Sequence, residues 1–266
     1  MKVAFIGGGV MGEAMLSAIL DKGLSTPQAI CVSDIKQSRR QHLGQKYGVA
    51  VTGSNRLAVE KGDVVILAIK PQDLVEVMAE LSGQLKSSQL VLSIVAGARI
   101  NTLCRGLNHN RVVRAMPNTP AQIGQGISVW TATTEVTEQQ RGWASSILRA
   151  MGKEIYVNDE QYIDMATAVS GSGPAYVFLF IEALVDAAVH IGLPRDIAQE
   201  LVLQTVLGSG QFMQKSGKPP DELRRMVTSP GGTTAEALLQ FEKGGFSELV
   251  MQAVSAAYNK AKRLGE

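Results

Sequence analysis

Cysteine is almost missing from this sequence: Cys31 and Cys104 are the only two, and both lie in apolar surroundings. That excludes a disulfide framework and leads to the expectation of a reducing compartment, the cytoplasm. Histidine is scarce as well. His42, His109 and His190 fall outside every motif described below, so they read as surface or packing residues despite histidine's usual catalytic role. Blocks of like charge are absent, Arg39-Arg40 and Arg224-Arg225 being only pairs, and the formal net charge is +2. No strong pull toward nucleic acid or a membrane surface is expected. An unbroken apolar run of membrane-spanning length is also lacking. Ala175 to Leu193 comes nearest but carries Glu182, Asp186 and His190, so it reads as a buried interface helix. No basic stretch with a cleavage site precedes Lys2-Val3-Ala4-Phe5-Ile6-Gly7, and no repeat, low-complexity tract or long linker is visible.

What remains is an ordinary globular composition, 45% hydrophobic and 19% charged, in 266 residues. That length is enough for one large or two modest domains. Val3 to Ile6 reads as a buried strand, and a helix pattern runs from the following glycines to about Lys22. Between them, Gly7-Gly8-Gly9-Val10-Met11-Gly12 fits G-x-G-x-x-G. Gly7 permits the tight turn, Gly9 lets a pyrophosphate approach the backbone, and Gly12 lets helix pack on strand. A second strand, Ala29 to Ser33, ends at Asp34, where an acid holds the ribose 2′-hydroxyl of NAD. Lys36, Arg39 and Arg40 follow at once and suit a 2′-phosphate, so the choice between NADH and NADPH stays open.

Asp63 to Ala68 is another strand, leading into Ile69-Lys70-Pro71, with Pro71 at the favoured first position of a helix. Continuous apolar strands alternating with helices imply a parallel sheet covered on both faces. Ligands in such sheets sit at the carboxyl ends of the strands, which puts Lys70 at the cofactor's edge and Asn55, in the preceding loop, near the adenosine. Leu90 to Ile94 ends in Val95-Ala96-Gly97, small residues that let a flat group lie close. Strands at Arg111 to Ala115, Gly126 to Ala132 and Lys153 to Val157, with a helix from about Glu138 to Met151, complete a nucleotide-binding Rossmann domain over residues 1–158. From there residues 159–266 show only helical periodicity. Ser170-Gly171-Ser172-Gly173-Pro174 opens a long helix that is apolar on more than one face, which calls for a partner chain as cover.

Near the end, Thr228-Ser229-Pro230-Gly231-Gly232-Thr233-Thr234 runs straight into Ala235-Glu236-Ala237-Leu238-Leu239. Pro followed by Gly-Gly makes a tight turn, and it delivers two hydroxyls to a fresh helix N-terminus. Free N–H groups there can cradle a carboxylate. Ser and Thr ahead of a helix also serve as ordinary caps, so both readings stand.

Taken together, these segments resemble pyrroline-5-carboxylate reductase over essentially the whole chain. The resemblance rests on Phe5 to Gly12, Ala68-Ile69-Lys70-Pro71, Arg114-Ala115-Met116-Pro117-Asn118-Thr119-Pro120, Ser170 to Tyr176 and Ser229 to Thr234. It implies reduction of 1-pyrroline-5-carboxylate to L-proline with NADPH or NADH, the last step of proline synthesis. It further implies an α/β Rossmann domain followed by an all-α dimerisation domain, and a homodimer, often in rings of dimers. By position, Ile6 through Met11 would hold the pyrophosphate and Asn55 the adenosine, while Ala68 to Pro71 and Val95-Ala96 would line the way to the nicotinamide. Substrate contacts would fall on Glu160, Thr233 and Thr234, with Ser229 and Gly232 in the same turn and no metal involved. In mechanistic terms, Thr234 would hydrogen-bond the ring nitrogen and Glu160 or a water would favour the iminium charge. Asp34 departs from the pattern, since many members carry a small hydroxyl residue there and favour NADPH. A β-hydroxyacid dehydrogenase would need a lysine on the long helix, but none occurs between Lys153 and Lys215. A nucleotide-binding protein without catalysis would not need the second turn at Ser229 to Thr234.

Overall fold

In the computed structural model, which describes residues 1–265, the strands run in the order β3-β2-β1-β4-β5-β6-β7-β8. They are β1 (Val3–Ile6), β2 (Ile30–Ser33), β3 (Ala50–Thr52), β4 (Val64–Leu67), β5 (Leu90–Ser93), β6 (Val112–Met116), β7 (Gly126–Ala132) and β8 (Gly152–Tyr156). The helices between them are α1 (Val10–Asp21), α2 (Gln37–Tyr47), α3 (Asn55–Val59), α4 (Leu74–Leu81), α5 (Ile100–Leu107) and α6 (Glu138–Ala150). Alternate residues of each central strand face opposite layers, as the two-residue period of a strand requires. Val3, Phe5, Val64, Ile66, Leu90 and Leu92 pack in one core with Met15 and Ile19 of α1 and Ile147 and Leu148 of α6. Ala4, Ile6, Val65, Leu67 and Val91 pack in the other with α3, α4 and α5. The unbroken apolar runs noted in the sequence are thus strands buried on both faces.

The sheet is parallel except at one place. β7 runs antiparallel to β6, then β8 is parallel to β7. The connection from β6 to β7 holds only a 3₁₀ turn, Thr119–Ile123, started by Pro120, and is too short for a crossover helix. Asn118 fixes this loop, its side-chain oxygen accepting from Ile127 N at 2.9 Å. Pro71 takes the first position of a helical turn as expected, but the turn is a 3₁₀ one, Pro71–Asp73, and α4 follows from Leu74.

His109 lies at the amino-terminal rim, between α5 and β6. It is buried, and its Nε2 lies 2.9 Å from Gln89 O. Burial is the main cause holding its pKa below the ordinary 6.5; the Arg111 charge adds to this, against the bond to Gln89, which raises it. As pH falls, the unfolded chain therefore takes up the proton first, so the contribution is complete above 6.5 and is lost as pH drops through the lowered folded value. Thermal unfolding followed from pH 7.5 downward should show a shallower fall in His109→Gln than in the parent; equal slopes would exclude this role.

Contacts divide the chain into two units. One comprises Met1–Ser172 with the chain from Ala257 onward, and the other is Gly173–Ala256. Helix α7 (Gln161–Ala166) runs into a π turn, Thr167–Gly171, and after a bend at Ser172 the long helix α8 (Gly173–His190) opens at the Ser-Gly-Ser-Gly-Pro segment as expected, with Pro174 in its first turn; the π turn ahead of it was not foreseen. Pro174 cannot donate to the carbonyl four residues back, and the wider turn meets this, with Ser172 N and Oγ both reaching Thr167 O at 2.9 and 3.1 Å. The second unit also holds α9 (Arg195–Ser216), α10 (Pro220–Met226) and α11 (Thr233–Lys243), and α12 (Phe246–Leu264) starts in it. Its own core is small: Val185, Ala198 and Val202 are the buried members. Phe178, Leu179, Leu201, Leu203, Leu207 and Phe212 all remain exposed. The run Gln161–His190 is long and apolar enough to cross a membrane by length and composition. Glu182 and Asp186 on it make a protein partner the cheaper cover.

Candidate active site

Strand register brings the expected cofactor residues at four strand ends to one rim of the sheet. Ile6 pairs with both Ser33 and Leu67, and Leu67 with Ser93, so β1, β2, β4 and β5 end level. Gly7, Asp34, Ala68 and Ile94 are consequently the first residues out of four neighbouring strands. The order reverses between β1 and β4, the switch point where open α/β sheets take their ligands.

The glycine turn fits a dinucleotide. Gly7 has φ +97°, and a Cβ there would lie 2.5 Å from Ala68 O. A Cβ on Gly12 would lie 2.5 Å from Gly7 O. Both glycines are therefore demanded by the protein's own packing. Gly9 is different: nothing stands within 4 Å of a Cβ built there, and it is the N-cap of α1 with no side-chain hydrogen bond. The start of α1 is open, with amides suited to a pyrophosphate. Ile6 is buried beneath this turn, whereas Val10 is exposed on it.

Beside the turn, Asp34 Oδ2 accepts from Gly8 N and Oδ1 from Lys36 N, both at 2.8 Å. Arg39 Nε and Nη2 donate to Gly8 O at 2.8 and 2.6 Å. Arg40 Nη1 donates to Asp34 O at 2.6 Å and to Ile35 O at 3.0 Å. The three cations after Asp34 thus differ, since both arginines are tied to main-chain oxygens. Asn55, expected in a loop, is the first residue of α3 behind the Ser54 cap, and its Nδ2 donates to Glu80 Oε2 at 2.6 Å. Lys70 is exposed, as are Pro71 and the nearby Gln72, while Ala68 and Ile69 are half-buried. Val95 is buried and Ala96 half-buried, in the loop that leaves β5.

Glu160 is tethered to that loop. Its Oε1 accepts from Ile100 N, the first residue of α5, at 2.8 Å and from Arg114 Nη1 at 2.7 Å. Arg114 is 2% exposed, and its Nη2 donates to Asp164 Oδ1 at 2.6 Å. One guanidinium therefore holds two carboxylates from the start of α7, a fork that a lysine could not reproduce. Arg114 and Asp164 were given no role from the sequence. The signal was a charged residue inside the otherwise apolar strand Val112–Met116, which is tolerated only when paired. Glu13 was missed too; it faces Arg39, His42, Lys46 and Tyr47, whose spacing on α2 puts them on one side of that helix.

In the second unit, Ser229 to Gly232 form a turn closed by Gly232 N donating to Ser229 O at 3.1 Å, with Gly231 at φ +67°. A Cβ on Gly232 would lie 2.5 Å from Ser229 Oγ, so a larger residue there would displace that hydroxyl. Gly232 is the N-cap of α11, and no side chain caps the helix. Thr233 and Thr234 occupy its first two positions. Their hydroxyls are thus not spent on the helix's own cap, and the amides at its start remain available to a small anion.

Known proteins resemble this chain along its whole length. Residues 160–264 match the family model for pyrroline-5-carboxylate reductase dimerisation, and residues 2–97 match that for NADP oxidoreductase, coenzyme F420-dependent. The chain is 41% identical over 266 residues to a pyrroline-5-carboxylate reductase of Synechocystis, covering 100% of this chain and 99% of that protein. Its identity to the Pseudomonas aeruginosa pyrroline-5-carboxylate reductase is 42%, covering 100% and 97%. Among solved structures, a pyrroline-5-carboxylate reductase of Coxiella burnetii aligns with a TM-score of 0.90 at 38% identity, covering 100% and 98%. The Plasmodium falciparum pyrroline carboxylate reductase, solved with NADP bound, aligns with a TM-score of 0.92 at 33% identity, again covering 100% and 98%.

Proposed function

The chain belongs to the pyrroline-5-carboxylate reductase family, and from that premise we propose how its residues reduce 1-pyrroline-5-carboxylate to L-proline with NAD(P)H. The bound nicotinamide supplies hydride to the imine carbon; the protein supplies binding, orientation and charge. Residues 1–158 bind the dinucleotide, and residues 159–266 bind substrate and form the dimer. Ile6 to Gly12 hold the pyrophosphate, Asp34 the ribose and Asn55 the adenosine side. Ala68 to Pro71 and Val95-Ala96 line the path to the nicotinamide. The vacancy over Gly9 and the level strand ends support this assignment.

The substrate's carboxylate is held by the amides from Gly232 to Thr234, with Ser229 in the same turn. The uncapped start of α11 is the observation that carries this reading. Thr234 donates its hydroxyl toward, or accepts from, the ring nitrogen according to that nitrogen's protonation. Glu160 favours the iminium charge through Oε2, since Oε1 is committed to Ile100 N and Arg114. A carboxylate so placed stabilises a developing or standing positive charge without itself giving up a proton. No strong general acid is needed when the substrate arrives as the iminium, and orientation supplies most of the acceleration.

The exposed apolar residues of α8 and α9 support a homodimer, with rings of dimers as its further assembly. A cytoplasmic enzyme is consistent with both cysteines being free and with burial, the larger cause, raising their pKa values. Steady-state assay by loss of reduced-nicotinamide absorbance tests the substrate grip. Thr234→Ala is expected to lower kcat by about 100-fold or more, as for the loss of one preorganised donor, with little change in KM for the cofactor. A parental kcat with only a cofactor defect would remove Thr234 from the mechanism.

A further inference from the structure

Four side chains of α2 converge on one carboxylate of α1. Glu13 Oε1 accepts from Lys46 Nζ at 2.9 Å, His42 Nε2 lies 3.0 Å from it, and Tyr47 Oη donates to it at 3.1 Å. Its other oxygen, Oε2, takes Arg39 Nη2 at 2.5 Å. Burial alone would raise the Glu13 pKa, but these four bonds outweigh it and hold the carboxyl far below the ordinary carboxylate range. Glu13 is therefore charged throughout the working range, and Arg39 is its nearest cation.

Arg39 also meets Asp34 at Gly8, bonding Gly8 O while Asp34 accepts from Gly8 N. A ribose bearing a 2′-phosphate would meet the fixed Asp34 carboxylate and be repelled unless a cation compensates. Arg40 is committed to Asp34 O and Ile35 O, and Lys36 is a single exposed ammonium. Arg39, a planar fork able to grip phosphate, is the natural compensator. In this chain its Nε and Nη2 are turned onto Gly8 O, and Nη2 is shared with Glu13.

We propose that Glu13 sets the choice between NADH and NADPH by confining Arg39, so that Asp34 alone addresses the ribose and the chain favours NADH. The inference rests on the dinucleotide reading above. Glu13 acts here as a positioning residue, since it works through Arg39 rather than on the nucleotide.

The test is direct titration of NADPH and NADH by their fluorescence, free of any turnover, with kcat and KM measured alongside. The parent should bind NADH more tightly. Glu13→Gln should tighten NADPH about tenfold, the worth of one released charge-assisted contact, and appear in KM for NADPH rather than in kcat. Adding Arg39→Ala to Glu13→Gln should cancel that gain, and Glu13→Asp should restore part of the parental ratio. Arg39→Ala alone, which does not depend on Glu13→Gln folding, should change NADPH affinity by less than about twofold. An unchanged NADPH/NADH ratio in Glu13→Gln would overturn the proposal, as would a tenfold loss of NADPH in Arg39→Ala. A parent that binds neither nucleotide would instead overturn the dinucleotide reading, and this inference with it.

Discussion

Replacing Arg114 by methionine is expected to lower the unfolding free energy by about 3–5 kcal/mol, the usual cost of breaking a buried ion pair from one side. The guanidinium is 2% exposed and is bonded to Glu160 at 2.7 Å and Asp164 at 2.6 Å. Methionine fills comparable space but leaves both carboxylates without their shared cation, and Asp164 is itself buried. Arg114→Lys should recover only part of the loss, because an ammonium cannot bond both carboxylates in the plane the fork provides. Urea denaturation of the parent and both variants decides the matter. A loss below about 1 kcal/mol would mean that the triad behaves like a solvated surface pair. Activity carries a second signature. Glu160 would keep only its bond from Ile100 N and lose the charged one, so kcat should fall even under conditions where Arg114→Met stays folded.

The second large effect lies in the glycine turn, where two neighbouring positions should fail differently. Gly7→Ala meets both a φ of +97° and Ala68 O at 2.5 Å from the new Cβ. Strain of about 1–3 kcal/mol from the backbone alone, with the clash added, should lower thermal stability and weaken dinucleotide binding about 100-fold. Gly9→Ala meets nothing within 4 Å and sits at φ −67°, which any residue adopts. Its stability should stay within about 0.5 kcal/mol of the parent. Nucleotide affinity should still drop, because the methyl group occupies the space a pyrophosphate needs. Calorimetry paired with fluorescence titration separates the two. If Gly9→Ala bound nucleotide as the parent does, the pyrophosphate would have to lie elsewhere.

Much of this was legible in the residues, and the reasons are physical. Val3–Ile6 followed by three spaced glycines leaves little freedom, since the apolar run needs cover on both faces and the glycines need a turn. The level strand ends follow from that parallel pairing. The reversal at β7 was less visible, because strand direction depends on the length of a connection that Pro117 and Pro120 shorten. The π turn Thr167–Gly171 ahead of the long helix was hidden for another reason. Serine and glycine are poor helix residues, and the hydroxyl contacts of Ser170 and Ser172 to the Ala166 and Thr167 carbonyls that accompany the wide turn leave no periodic signal. Arg114 with its two carboxylates and Glu13 with its four donors escaped because both are assembled from residues distant in the chain. Spacing reveals a helix face, but it does not reveal which face meets which. The short strand Ala50–Thr52 and helix Asn55–Val59 were missed as well, having too few apolar residues to show a period.

Four strands leave the sheet in step at the rim proposed to hold the dinucleotide, and the opposite rim holds none of the residues proposed for it. The turn at Gly83, between α4 and β5, lies on that second rim, and nothing stands within 4 Å of a Cβ built there. A reporter dye or a pair of new chain ends could be introduced at that bend while the nucleotide cradle stays as it is, giving an enzyme that can be labelled or rewired from behind.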